Sequence, residues 1–332
     1  MSEAKKLEMN PFSTSIGGAY RSVALVDITP ETTLDFDVYI HLPINNRYVK
    51  VIHAGQKITP DLLKKFHSYE VSRVFVSPEC LDKYFSFQSQ RFNSLINPPP
   101  ASPHIDYSGR QREAVQSMFS GVLHVGPKGD QAEALLVLTD LEEVLNRSLG
   151  LSNVRDSHSS LLAQFNQPVG VAAKAGRVST FAAMLEMALG LQQTHEAAVA
   201  GLFLDIGLMT LPEPLQSKPF HKLSAEERWI YETHPEAGLK LLQRMNIPVS
   251  ESIQNVILNH HERVDGTGFP RKIAGSRISL LTQAVVAAER LDQLMFGLPI
   301  QMGVPEMMSR LRSEQVCSPD VLSAISSVMQ KD

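Results

Sequence analysis

The sequence predicts an α+β N-terminal domain followed by an all-α helical bundle. Three observations carry this. Short alternating and buried apolar runs, typical of strands, are confined to the first quarter of the chain. A proline-rich stretch, NPPPASP at 97–103, then interrupts the pattern. Beyond it nearly every periodic segment has helical spacing. The 332 residues suit two domains, and 43% hydrophobic against 20% charged residues suits packed cores. The predicted organisation is a loose N-terminus at 1–20, a small α+β domain at 21–96, a linker at 97–108 and an all-α domain at 109–332.

In the first domain DVYIHLP and RYVKVIHAGQKI read as strands around a turn at INN. Thr59 is placed to cap a helix that Pro60 opens and Leu62, Leu63 and Phe66 face inward. SRVFVSP reads as a short buried strand, and a second helix is predicted from Glu79 to Leu95. In the second domain helices are predicted at Gly109–Leu123, Asp130–Leu149, Val169–Leu191, Thr194–Gly207, Ser224–Asn246, Ser250–Glu262 and Ser279–Leu294. The longest connections fall at Pro212–Lys222 and Arg263–Arg277.

The 31 Lys+Arg against 35 Asp+Glu give a net charge of −4, which offers no long-range field for nucleic acid or an anionic membrane. Cys80 and Cys317 cannot build a disulfide framework, in keeping with a reducing compartment. The opening MSEAKKLEMN has no apolar stretch behind it, and the apolar run Val178–Leu191 is broken by Glu186 and too short to span a bilayer. The expectation is a cytoplasmic protein with no membrane and no nucleic-acid partner.

Chemistry concentrates in three segments. Ile253, Val256, Ile257 and His260 follow i, i+3, i+4, i+7 spacing, which puts His260 on a buried stripe and His261 about 100° further round. Alone, such a pair is more often one core histidine beside an exposed one. Ser224 and Glu227 form a capping box opening the helix that carries His234 on its apolar face, beside Pro235. EAAVAGLFLDIGL is apolar all round except for Asp205, and a carboxylate buried there needs a partner or a cation. Three histidines and an aspartate on core helices have the composition of a metal site. Asp205 as a plain helix-end acceptor is the competing reading.

HHERVDGTGFP at 260–270 resembles the HHExxDGxGYP signature of the HD-GYP family, with Phe269 in place of tyrosine. LDIGL at 204–208 is similar to the family's HDIGK, KLSAEERWIYETHPEAGLKLL to its HPE helix, and AVVAAERLDQL at 284–294 to its late helix. The resemblance spans about residues 165–310. It implies an HD/HD-GYP-type bundle that hydrolyses cyclic di-GMP or related cyclic dinucleotides at two or three metal ions. It further implies that Asp205, His234, His260 and His261 hold one divalent ion, of iron, manganese or zinc.

The other half of such a site departs from the pattern. Leu204 stands for the HD histidine, Lys174 for an upstream histidine, Gly170 for a glutamate found in some members, and Glu289 for the late aspartate. Leu208 replaces a phosphate-binding lysine, and Leu298 and Gln301 replace basic residues of a late motif. Each lost cation removes a contact of roughly 1.5–3 kcal/mol to an anionic ligand. A second metal and cyclic di-GMP binding are therefore doubtful. Charge accounting places the Lys174 ammonium between Asp205 and Glu289, as a substitute for that metal; Glu289 as a solvated helix charge beside Arg290 is the alternative.

Asp265 is expected to fix its loop through backbone hydrogen bonds. Phe269 is expected to pack. Asp265, Gly266, Gly268, Phe269 and Pro270 form the loop that the resemblance associates with docking GGDEF-domain diguanylate cyclases. The Met-rich tail (Met295, Met302, Met307 and Met308) reads as adaptable core or partner surface. Two functions follow: a catalytically degenerate regulatory or docking module, which the clustered losses favour, or an active metal-dependent phosphodiesterase with non-standard ligands.

Overall fold

In the computed structural model the described residues are 20–24, 28, 30–69, 71, 73–97, 107–123, 131–297 and 302–329. Nearly all of the predicted loose N-terminus and linker, and the positions Leu298 and Gln301, lie outside them. The chain divides into two compact units, with the boundary between Arg91 and Phe92 inside a helix.

The first unit is a four-stranded antiparallel sheet with helical cover. Its strands are β1 (Arg21–Ala24), β2 (Val38–Leu42), β3 (Arg47–Ile52) and β4 (Arg73–Val76), in the order β1-β4-β2-β3. β2 and β3 pair from Val38↔Ile52 to Leu42↔Arg47 around a turn at Pro43–Asn45. Helix α1 (Pro60–Ser68) starts at Thr59, whose hydroxyl accepts from the Leu62 amide at 3.3 Å. With α2 (Leu81–Ile96) it closes a core of Val38, Ile52, Val74 and Val76 with Leu34, Phe36, Ile58, Phe66 and Tyr84. β1 is absent from the sequence reading because four residues, RSVA, are too few to display alternation.

The second unit is helical: α3 (Tyr107–Leu123), α4 (Gln131–Leu149), α5 (Ser152–Gln164), α6 (Val169–Leu189), α7 (Thr194–Phe203), α8 (Glu213–Gln216), α9 (Ala225–Tyr231), α10 (His234–Arg244), α11 (Glu251–Asn259), α12 (Leu280–Phe296), α13 (Val304–Ser313) and α14 (Pro319–Met329). α6 is the axis, packed by α3, α4, α7, α12 and α14. It is buried continuously from Val178 to Ala188, including Glu186. That carboxylate accepts from the Gln193 amide at 2.7 Å and from the Thr194 hydroxyl, so it anchors the start of α7. No helix among the described residues is long and apolar enough to cross a membrane.

Three predicted helices differ in extent. The run predicted to end at Gly207 leaves the α conformation after Phe203 and tightens into a 3-10 turn at Ile206–Thr210. The helix predicted at Ser224–Asn246 is two, and Pro235 lies in the first turn of α10 just after α9 ends. α11 stops at Asn259 rather than Glu262, because the loop beyond turns back and the Phe269 amide donates to the His261 carbonyl.

α5 carries His158, 4% exposed and edge-on to Phe203 at 5.5 Å. Burial, aided by the Arg155 charge, pushes its imidazole down to about 4. An unfolded chain would protonate it near 6.5, so stability is expected to fall as pH drops from about 6.5 to about 4, by roughly 3 kcal/mol in all. Urea unfolding of His158→Phe at pH 7 and 4.5 is expected to show a smaller acid loss than the wild type. An identical loss in both would refute it.

Candidate metal centre

The site is assembled at the termini of three helices. α7 gives way to Leu204-Asp205, α10 begins with His234, and α11 terminates before His260-His261. The ligand atoms of Asp205, His234, His260 and His261 all lie within 4.8 Å of one another, the one such group among the described residues.

Backbone carbonyls fix the imidazoles. His234 Nδ1 lies 2.7 Å from the Tyr231 carbonyl and His260 Nδ1 2.7 Å from that of Ile257. A carbonyl only accepts, so both Nδ1 atoms carry the proton and both Nε2 atoms present lone pairs. Yet His234 Nε2 stands 3.1 Å from His260 Nε2 and 3.1 Å from His261 Nε2. The first of these pairs has no proton to share, an arrangement that a cation resolves. Asp205 Oδ1 completes the group at 3.6 Å from His260 Nε2 and 3.9 Å from His234 Nε2. Three imidazoles and a carboxylate fit zinc, iron or manganese.

The protonation states suit this. Burial, with His260 beside it, lowers His234 to about 4, and burial together with both neighbouring rings holds His261 well below the histidine range. Burial pushes the Asp205 carboxyl up, but the Lys174 ammonium outweighs it and holds it well below the carboxylate range. His234 and His261 are thus neutral imidazoles and Asp205 a carboxylate at neutral pH, as a metal requires.

Lys174 points inward from α6. Its Nζ donates to Asp205 Oδ2 at 2.8 Å and to Glu289 Oε1 at 2.9 Å. Burial disfavours the ammonium, but the two carboxylates more than restore it, so the lysine stays charged. Glu289 stands outside the four-ligand group and also accepts from Gln293 Nε2 at 3.1 Å. One turn further along both helices Arg177 grips Asp292 through two bonds, 2.5 and 3.2 Å, fixing α6 against α12. Leu204 is buried and Leu208 half-buried beside Gly170 and Lys174 along one cavity wall.

The loop 262–273 follows directly on His261 and folds back on it, the Phe269 amide donating to the His261 carbonyl. Asp265 Oδ1 accepts from the Thr267 amide at 2.9 Å and its hydroxyl at 2.6 Å, and Gly266 adopts φ 78°. Phe269 lies 4.4 Å from the His261 ring, nearly parallel to it, and stacks on Phe220. Buried Glu262 accepts from the amides of Arg271 (2.6 Å) and Ile273 (3.1 Å), which holds the loop shut. Glu262 and Tyr231 have no place among the candidates read from the sequence. The acid of HHE could have been found as a buried charge needing donors; Tyr231 acts through its carbonyl, which no side-chain pattern reveals.

The helical unit thus carries a His/Asp cluster able to hold a metal ion, and comparison supplies the kind of domain. Residues 156–308 match the HD domain family. A cyclic di-GMP phosphodiesterase of Pseudomonas aeruginosa is 38% identical over 109 residues, 33% of this chain and 26% of that protein. A 3'3'-cGAMP-specific phosphodiesterase of Vibrio cholerae is 29% identical over 185 residues, 53% and 39% respectively. A cyclic di-GMP phosphodiesterase of Thermotoga maritima is 29% identical over 143 residues, 42% and 39%. The chain spans about a quarter to two fifths of the length of these relatives. Residues 156–308 therefore form an HD domain similar to those of cyclic-dinucleotide phosphodiesterases.

Proposed function

We propose that this chain is a catalytically degenerate HD-GYP protein of cyclic-dinucleotide signalling, a regulatory or docking module that keeps one metal position. The observation that carries the reading is the Lys174 ammonium bonded to both Asp205 and Glu289. Asp205, His234, His260 and His261 would hold the ion, with zinc, iron and manganese all compatible. Bound there, a divalent ion supplies Lewis acidity toward a phosphate oxygen. Lys174 ties up the Asp205 oxygen and the Glu289 carboxylate that would otherwise face a second ion. A lone ion lacks the paired clamp that stabilises both attacking and leaving oxygens. Leu204 and Leu208 add neither a ligand nor a phosphate contact.

The loop from Asp265 to Pro270, held by Glu262, is the surface proposed to dock a GGDEF-domain diguanylate cyclase. The supporting observation is its rigidity: turn, stacked Phe269 and carboxylate brace form one unit.

Metal analysis of protein purified without chelators is expected to give one divalent ion per chain. His260→Ala is expected to drop it below a tenth, since one of four donors is lost. Cyclic di-GMP turnover with added Mn²⁺ or Fe²⁺ is expected to match the His260→Ala background. Two ions per chain, or metal-dependent turnover abolished by that substitution, would instead establish an active phosphodiesterase.

A further inference from the structure

The three imidazoles of the cluster are not held alike. His234 and His260 are each fixed by a backbone carbonyl that accepts from Nδ1 at 2.7 Å. His261 has no such acceptor. Among the described residues its side chain makes one polar contact, Nε2 against His234 Nε2 at 3.1 Å. That contact joins two ligand atoms, so an ion that binds both replaces it. A metal-binding histidine is ordinarily aimed by a partner on its other ring nitrogen. His261 must be aimed by packing instead.

Two rings press on it. His260, itself a donor, lies 4.0 Å away, and Phe269 lies 4.4 Å away and within 24° of parallel. Tyr231 stands further off, at 5.9 Å and tilted by 52°. Phe269 is backed in turn by Phe220, 5.7 Å away and within 14° of parallel, with the Arg228 guanidinium 4.6 Å over Phe220. Phe220 is 38% exposed, so this series of rings runs from the donor set to the surface. The backbone seats Phe269 where it is. Its amide donates to the His261 carbonyl at 3.2 Å. A Cβ at Gly268 would lie 2.4 Å from that carbonyl oxygen and 2.5 Å from both the Arg263 nitrogen and Glu262 Cα. Loop and ligand segment therefore touch backbone to backbone, and the phenyl ring has little freedom to leave the imidazole.

We propose that Phe269 is the positioning residue for His261, and that through it the Asp265–Pro270 loop and the metal centre form one coupled unit. This rests on the reading that Asp205, His234, His260 and His261 hold an ion. Phe269 has no ligating atom; it acts by keeping the imidazole where Nε2 meets the other donors. Linkage makes the coupling reciprocal. An ion that fixes His261 tightens the loop, and a partner that displaces Phe269 weakens the ion by the same factor.

The test titrates the full chain with Mn²⁺ and with Co²⁺ against a competing chelator. Phe269→Leu removes the stacked ring but keeps an apolar side chain, and is expected to weaken both ions roughly ten- to a hundredfold. Phe269→Tyr keeps the ring and is expected to bind as the wild type does. The visible spectrum of Co²⁺ in Phe269→Leu should approach that in His261→Ala, the signature of a lost nitrogen ligand. In a His261→Ala background Phe269→Leu should cost nothing further, because no ring is left to position. Hydrogen exchange at the amides of 266–269 and 271–273 is expected to slow when Mn²⁺ binds the wild type. Full affinity in Phe269→Leu, additive losses in the double variant, or loop exchange indifferent to metal overturns the proposal. Should Phe269→Leu not fold, the exchange measurement on the wild type decides alone. A wild type that binds neither ion defeats the four-donor reading along with this one. An ion bound equally well by Phe269→Leu defeats only the positioning role.

Discussion

Gly207→Ala is expected to destabilise the helical unit by about 3 kcal/mol and to empty the metal centre. A Cβ built at Gly207 would lie 1.9 Å from the His234 carbonyl oxygen, 2.9 Å from its carbonyl carbon and 2.7 Å from the Gly238 amide nitrogen. All three are backbone atoms, so no side-chain rotation can relieve the clash. Overpacking costs roughly 1–3 kcal/mol where neighbours can shift, and here α10 itself must move. Its first residue is His234, whose Nε2 must stay about 3 Å from those of His260 and His261. A displacement of an ångström is therefore enough to open the donor set. Gly238→Ala is the control. Its Cβ would meet the Gly207 nitrogen and Ile206 Cγ2 at 3.2 Å, a strain that a few tenths of an ångström relieves. That variant is expected to lose under about 1 kcal/mol and to keep its metal. Urea unfolding with metal analysis of each variant checks both numbers. A Gly207→Ala protein with wild-type midpoint and full metal content would disprove the argument.

What the sequence disclosed and what it hid divide along physical lines. Side-chain caps were legible because the motif is local. Thr59 accepts from the amide three residues on, and Ser224 with Glu227 makes the full reciprocal box. The four clustered residues stood out in the sequence as polar residues in apolar runs, together with the motif resemblance. Helix ends set by tertiary contact were not. α7 is apolar on every face, so its periodicity held no sign that the chain tightens after Phe203 to bring Gly207 against α10. α5, with the sequence SNVRDSHSSLLAQ, shows too weak an apolar stripe to be seen, and with it went the buried His158. α13 and α14 were likewise missed, though Met307, Met308, Val321 and Ile325 prove to be core. The carbonyls of Tyr231 and Ile257, which fix two histidine tautomers, are invisible to residue type altogether.

Lys174→Met is expected to convert a lysine-bridged pair of carboxylates into a cation trap. The substitution keeps the length of the side chain but removes the ammonium, leaving Asp205 and Glu289 without their shared partner. Breaking a fully buried pair costs roughly 3–5 kcal/mol. The lysine side chain is 35% exposed, Asp205 27% and Glu289 11%, so screening brings the expected loss to about 2 kcal/mol. The pH dependence should change with it. Asp205 is depressed in the folded wild type, so its contribution is fully present above the unfolded value near 3.9 and is lost as pH falls below it. Without Lys174 that acid-dependent contribution shrinks, and the variant's deficit is expected at neutral pH and to narrow toward pH 3. A divalent ion can then take over the neutralisation that the lysine supplied. Stability measured in Mn²⁺ should exceed that in chelator by a margin growing with metal concentration, and metal content should rise from one toward two ions per chain. The wild type should show no such second increment, since the ammonium already occupies the space between the two carboxylates. An unaltered metal count in Lys174→Met, with no stability loss in chelator, would mean that the lysine is a bystander. The asymmetry of the centre would then need a different cause.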